Sequence, residues 1–242
     1  MHRLLAPCLT ATAILLASPA LAQEPASGSV ILSVDRIFGF VTGSFTRSES
    51  EDGSTVESTE SYTEISLLAG SPVSIGFLFS TPRLSLDFMV TDGLTLGGGI
   101  GYTTFSGEQE TTFDGETRTD NVPTITTFVF APRIGYLASF NPTVGIWPRA
   151  GVTYMTVGSE QEEDGDSAES TMGVTAFTAE VPLVIMPAPH VMLTLGLTLD
   201  TSLSVTREQS FSSDGSPTQS EEDPGDLSMY EFGLQAGLAA WF

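Results

Sequence analysis

Acidic side chains are the most concentrated chemical groups in this sequence. The chain of 242 residues has 30 acidic and 8 basic residues, and 22 of the acids lie in the four hydrophilic segments 47–60, 107–121, 158–171 and 206–227. Carboxylate oxygens are ligands for Ca²⁺, but the run DGDSAE lacks the glycine position and spacing of an EF-hand loop. We therefore predict no metal site and no cofactor. We interpret the four segments as a solvated, charge-rich surface, since their net charge is −19 of a total of −22.

Residues for nucleophilic or acid–base catalysis are scarce. Cys8 and His2 lie near the N-terminus, and the rest of the chain has no cysteine and one histidine, His190. Histidine is the usual base near neutral pH, and His190 falls in a short polar connection, where we expect a solvated turn residue. The sequence therefore predicts that the protein is not an enzyme.

Charged residues also occupy alternate positions within apolar stretches. In RLSLDFMV, for example, Arg83 and Asp87 lie on the face opposite to the leucines. The same parity assigns one face to Arg83, Asp87, Arg133, Arg149, Glu180, Asp200 and Glu231. Three positive and four negative charges are nearly balanced, which predicts a buried ion-pair network. Asp35 is a further candidate, because the register of the first strand is ambiguous at Val34-Asp35-Arg36.

A narrow conductive path is the alternative interpretation of this face. Several glycines, such as Gly97, Gly99 and Gly101, share it and leave room along the axis. We favour the filled interior, because eight strands enclose a space only wide enough for side chains.

The elements that carry these residues are β-strands, since apolar residues alternate with a period of two. The longest case is HVMLTLGLTLDTSLSV, which would be about 50 Å long at about 3.3 Å per residue. A soluble barrel would turn such apolar faces inward, whereas a membrane barrel turns them outward. Aromatic residues decide between them. They bound the apolar faces at one set of strand ends (Tyr102, Phe128, Tyr154, Phe177, Tyr230) and at the other (Phe88, Phe140, Phe242). Two aromatic belts favour the membrane arrangement.

Each hydrophilic segment contains one Asp-Gly turn signal, and the four loop tips are Asp52, Asp114, Asp164 and Asp214. Short connections alternate with these segments, so all four long loops emerge on one side. An apparent insertion at 70–81 could be a bulge, a loop or part of a strand. We predict an all-β, eight-stranded antiparallel up-and-down transmembrane β-barrel with four long acidic external loops.

The N-terminal residues resemble a secretory signal. Arg3 precedes an apolar run, and Ala20-Leu21-Ala22 matches an A-x-A cleavage site. We expect a signal peptide at 1–22, a short N-terminal segment at 23–29 and a barrel domain at 30–242.

The alternating strands, the signal peptide and the terminal strand MYEFGLQAGLAAWF together resemble the small bacterial outer-membrane β-barrel superfamily of OmpA/OmpX-like architecture. The resemblance is one of architecture and carries over no functional site. It implies that Phe242, a terminal aromatic residue, acts as the signal for the outer-membrane assembly machinery.

The function expected is that of an integral outer-membrane barrel in a Gram-negative bacterium, with periplasmic termini and a structural or surface-interaction role. The alternatives are a narrow pore for ions or small solutes and a soluble periplasmic lipid-binding barrel. Expected partners are outer-membrane lipid and lipopolysaccharide, bridged by divalent cations. Nucleic acid is not expected, because the chain is strongly acidic.

Overall fold

The computed structural model describes residues 25–51, 54–67, 81–113, 116–163, 166–212, 219–222 and 226–242. Its strands are β1 (Val30–Glu51), β2 (Ser54–Leu67), β3 (Arg83–Met89), β4 (Leu94–Phe113), β5 (Glu116–Tyr136), β6 (Ala138–Asn141), β7 (Val144–Ile146), β8 (Arg149–Glu163), β9 (Asp166–Ala188), β10 (Val191–Ser212), β11 (Gln219–Glu222) and β12 (Asp226–Trp241). Within these ranges, no helix is long and apolar enough to cross a membrane. The predicted signal peptide 1–22, residues 23–24 and most of the insertion, 70–80, lie outside the described residues.

The strands form one closed antiparallel ring. Its order is β1, β3, β4, β5, β8, β9, β10 and β12, and β12 pairs again with β1. The other four strands, β2, β6, β7 and β11, continue or flank strands of the ring. β2 pairs with the part of β1 that extends past β3. β6 continues the line of β5, and β7 continues the line of β8. β11 pairs with β10. The predicted all-β antiparallel ring of eight is therefore confirmed.

The two ends of the ring differ. At one end, which we name the turn end, lie Val30, Phe242 and the short connections 90–93, 142–143 and 189–190. At the other, which we name the hairpin end, three pairs of strands stay hydrogen-bonded up to Glu51 opposite Ser54, Phe113 opposite Glu116 and Glu163 opposite Asp166. Both ends of the barrel domain thus lie at the turn end.

Three of the four hydrophilic segments differ from the long loops expected. In 47–60, 107–121 and 158–171, the described residues continue the strands to within two residues of each other. The physical reason is that the Ser- and Thr-rich residues of the two strands pair across the ladder, which satisfies their backbone N–H and C=O groups. The predicted tips Asp52, Asp114, Asp164 and Asp214 themselves lie outside the described residues.

The ring has polar residues on its inner face and apolar residues on its outer face, which is the opposite of a protein that folds in water. In β3, the inward residues Arg83, Ser85 and Asp87 are all buried, whereas the outward residues Leu84 and Leu86 are 52% and 55% exposed. The alternation follows from the pleat, which sends successive side chains to opposite faces. Charged residues therefore lie inside the ring, and a band of large apolar residues covers its outside.

The interior is built in three layers. At the turn end, an apolar layer comprises Ile31, Met89, Leu137, Trp147, Val184, Met186, Met192, Ala239 and Trp241. Nearer the hairpin end, a second apolar layer comprises Val129, Ala131, Met155, Val174, Ala176 and Met229. The charged residues lie between them, and we call this part of the lumen the charged layer. Side chains thus occupy the lumen at these three levels.

Candidate functional site: the charged layer of the lumen

Arg133 of β5 binds two carboxylates in the centre of the charged layer. Its Nε and Nη2 donate to the two oxygens of Asp87 at 3.0 and 2.5 Å. Its Nη1 donates to Asp35 Oδ2 at 2.7 Å. A bidentate guanidinium–carboxylate pair fixes direction as well as distance. Arg133 therefore connects β5 to β3 and β1 across the lumen.

Arg149 of β8 extends the network to β9. Its guanidinium binds Asp35 Oδ1 at 3.2 Å and Glu180 Oε2 at 2.7 Å. It also lies over the ring of Trp147, 4.7 Å from the ring centroid. The indole nitrogen of Trp147 donates to Thr95 Oγ1 at 3.0 Å, so the ring is held in place. The aromatic face then stabilises the cation at the boundary with the apolar layer.

Arg36 is the member of the network that the parity argument missed. Its Nη2 lies 3.2 Å from Glu180 Oε1, 3.1 Å from Asp200 Oδ2 and 3.2 Å from Thr198 Oγ1. Arg36 has a φ of 58°, and the register of β1 against β12 shifts between Val34 and Phe38. Such a bulge lets two successive residues point to the same face. The signal was the pair of successive charges, Asp35-Arg36, in an otherwise alternating strand.

Of the seven residues predicted to share this face, the structure brings five into one salt-bridged network: Asp87, Arg133, Arg149, Glu180 and Asp200. The other two, Arg83 and Glu231, are buried in the lumen and form no salt bridge with any residue that the structure describes. Arg83 Nη1 donates to Thr153 Oγ1 at 3.2 Å. Glu231 Oε2 accepts a hydrogen bond from the Tyr62 hydroxyl at 3.4 Å. Asp35, the candidate of ambiguous register, is a central acceptor.

The inward glycines provide space for this network. A Cβ atom on Gly97 would lie 2.6 Å from Asp87 Oδ1, and one on Gly99 would lie 2.5 Å from Ser85 Oγ. A Cβ atom on Gly135 would lie 2.9 Å from Trp147 Nε1. Real Cβ atoms do not come this close to other atoms, so the space beside each glycine is already close-packed. The glycines therefore leave room for neighbouring side chains and, at Gly97, for the backbone of Leu86 and Asp87, which lies nearer still.

His190 and Phe242 meet at the turn end. His190 is exposed and has a φ of 63° in its turn. Its Nδ1 lies 2.8 Å from the Trp241 carbonyl oxygen, and its ring packs against Trp241. The backbone of Phe242 exchanges two hydrogen bonds with Val30, and its side chain projects outward, 75% exposed. The last residue of the chain is thus held at the seam where β12 joins β1.

A metal site is not among the features of the described residues, where no group of three or more His, Cys, Asp or Glu side chains could hold an ion. The charged layer pairs its carboxylates with arginines instead. The salt-bridged residues come from β1, β3, β5, β8, β9 and β10, so the network can hold six of the eight strands of the ring together.

Neither a protein-family model nor a curated protein sequence matches the chain. Solved structures match it at low identity. OprG, an outer membrane protein from Pseudomonas aeruginosa, has a TM-score of 0.49 and 11% identity over 91% of this chain and 99% of that chain. A major outer membrane protein from Thermus thermophilus has a TM-score of 0.47 and 11% identity over 88% of this chain and 99% of that chain. The outer membrane protease OmpT from Escherichia coli has a TM-score of 0.44 and 8% identity over 92% of this chain and 100% of that chain. All three are named as outer-membrane proteins, and at such low identity the likeness concerns the fold alone.

Proposed function

We propose that this protein is an integral outer-membrane protein, an up-and-down eight-stranded transmembrane β-barrel with a filled lumen and a structural or surface-interaction role. The observation that carries the proposal is the reversed polarity of the ring. Charges are inside it and apolar residues outside. A soluble barrel that binds lipid would need the opposite arrangement, since its apolar residues would line the interior.

The outer surface supports a membrane location. Leucine, isoleucine and valine side chains cover the outside between residues of the two predicted aromatic belts. Tyr102 and Tyr154, for example, are 66% and 46% exposed at one belt, and Phe140 is 65% exposed at the other. Continuous apolar surface on this scale would associate in water, whereas it is favoured next to lipid chains.

The orientation follows from the same geometry. The turn end carries the N-terminal part of the domain, its C-terminus and the short connections, and the hairpin end carries the acidic segments. Outer-membrane barrels have short periplasmic turns and longer external connections. We propose that both termini are periplasmic and that the acidic hairpins face the outside of a Gram-negative cell.

The interior of the ring supports a structural or surface-interaction role over conduction and catalysis. Two apolar layers enclose the charged layer, and the inward glycines are packed against side chains. The single histidine outside the N-terminal region has its Nδ1 engaged by a backbone carbonyl. Planar-bilayer recording tests the alternative of a narrow pore: the filled lumen predicts no steady single-channel steps, and regular steps would replace this function with conduction.

The proposed partners are lipid, lipopolysaccharide bridged to the acidic hairpins by divalent cations, and the assembly machinery acting on Phe242. Chelation of divalent cations should weaken membrane retention and lower the thermal midpoint. If chelation changes neither, the bridging is absent and the acidic hairpins are only a solvated surface.

The decisive experiment is to fold the chain from residue 23 in detergent, in lipid and in plain buffer, and to compare unheated and boiled samples on a gel. A heat-modifiable band that appears only with detergent or lipid supports the membrane barrel. Folding in plain buffer would contradict it.

A further inference from the structure

Arg83 is a buried cation that has no carboxylate partner among the described residues. Its side chain is only 2% exposed, and its Nη1 donates to the neutral hydroxyl of Thr153. Its Nε and Nη2 are buried and find no acceptor within the described part of the chain. Buried N–H groups without an acceptor are costly, and native proteins satisfy nearly all of them with protein atoms or bound molecules.

A small cavity lies beside these unused donors. It is lined by inward side chains (Arg83, Arg133, Arg149, Thr153, Thr178 and Glu180), and by Pro132, Ala150 and Val152 where it opens between β5 and β8. Its volume is about 10 Å³. That volume accommodates the centre of about one water-sized particle. A larger solute, such as a sugar or an amino acid, does not fit.

The polar groups that line the cavity differ in whether they have hydrogen-bond partners, and this difference defines the ligand. The lining acceptors are already engaged: Glu180 accepts from Arg36 and Arg149, Thr153 accepts from Arg83, and Thr178 shares a hydrogen bond with Thr153. The unused groups are donors, namely Arg83 Nε, Arg83 Nη2 and Arg149 Nε. A ligand that fits must therefore accept hydrogen bonds.

We propose that this cavity is a binding site for one small hydrogen-bond acceptor, a water molecule or a chloride ion, held by Arg83 and Arg149. The bound acceptor replaces the carboxylate that Arg83 lacks. It lies in the charged layer, beside Arg83 and Arg149.

The direct test is a crystal structure of the folded chain grown with sodium bromide in place of sodium chloride. A bromide anomalous peak within hydrogen-bond distance of Arg83 Nε and Nη2 identifies a halide. A peak there without anomalous signal identifies water. An empty cavity, or an Arg83 guanidinium that has moved to bind Asp200 or Glu231, would overturn the proposal.

The variants Arg83→Met and Arg83→Lys test whether Arg83 holds the ligand. We expect the peak to disappear in Arg83→Met, and to return in Arg83→Lys if a cation is what the ligand needs. A peak that persists in Arg83→Met shows that Arg83 does not hold it and contradicts the assignment.

Solution measurements separate the two ligands. A chloride ion predicts that the thermal midpoint of the wild type rises when chloride replaces gluconate at constant ionic strength, because a ligand of the folded state stabilises that state. The rise should be absent in Arg83→Met and retained in the control Arg207→Met, which removes the same charge from the hairpin part of β10. A water ligand predicts the same midpoint in both salts, together with the non-anomalous peak.

Discussion

Two sets of charges share the charged layer, and they are compensated in different ways. Arg133 and Arg149 bind carboxylates from three other strands, at distances between 2.5 and 3.2 Å. Arg83 and Glu231 are equally buried but make no salt bridge to the described residues, and Glu231 lies directly opposite another acid, Asp200, in the β10–β12 ladder. Asp200 is bound by Arg36, which leaves Glu231 with the Tyr62 hydroxyl.

The difference shows what a filled barrel interior requires. Similar burial does not make two charges equally stabilising, because the cost of burial is recovered only where an opposite charge is well placed. The salt-bridged set holds strands together across the lumen. The other set is held by neutral groups and, as proposed for Arg83, by a bound acceptor.

The largest effect that would sharpen this comparison is expected for Arg133→Met. The substitution leaves Asp35 and Asp87 without their shared cation, so we expect a loss of about 3–5 kcal/mol in the free energy of unfolding. Urea titration in phospholipid vesicles, followed by the fluorescence of the buried Trp147 and Trp241, measures it. Arg207→Met is the control for loss of one positive charge. A loss under about 1 kcal/mol would show that the network does not stabilise the ring.

A smaller loss is expected for Gly97→Ala, which tests whether the inward glycines make room for the salt-bridged set. The new Cβ atom would collide with the Leu86 carbonyl oxygen and would lie 2.5 Å from the Asp87 Cα atom. Overpacking of this kind costs about 1–3 kcal/mol. The matched control is Gly107→Ala, whose Cβ has nothing within 4 Å. Equal stability of the two variants in the same titration would mean that the backbone of β3 can move away from a side chain at position 97.

A gain is expected for Glu231→Gln. The amide keeps the shape of the side chain and an oxygen for the Tyr62 hydroxyl, and it removes a buried charge for which the described residues supply no salt bridge. We expect the free energy of unfolding to rise by about 1 kcal/mol. Glu180→Gln is the contrasting variant, since it weakens three observed salt bridges and should destabilise. Destabilisation by Glu231→Gln would break the comparison, because it would require a cationic partner for Glu231.

The smallest effect is expected for Arg83→Met. Methionine fills a similar volume, and no described carboxylate loses its partner, so the free energy of unfolding should change by less than about 1 kcal/mol. The same urea titration, run beside Arg133→Met, measures the contrast between the two arginines. If Arg83→Met is as destabilising as Arg133→Met, Arg83 contributes as much stability as the salt-bridged arginines, and the two sets of charges do not differ.

Much of this architecture could be predicted from alternation. The strand period assigned Asp87, Arg133, Arg149, Glu180 and Asp200 to one face, and a pleated strand leaves no other choice. Asp35 and Arg36 could not both be assigned in this way, because a bulge changes the parity within a strand. The acidic segments were expected to be loops, since their composition is that of solvated surface; cross-strand pairing extends the strands into them.

The sequence by itself determined the class of this protein: antiparallel strands, an interior face carrying charges, an apolar outer face and acidity gathered at one end. These features depend on the order of residue types along each strand, and that order is local. The tertiary structure alone decided which charges bind each other, where Arg36 points and what occupies the space beside the glycines. Those outcomes depend on side chains from strands distant in the chain, whose distances across the lumen are set only when the ring closes.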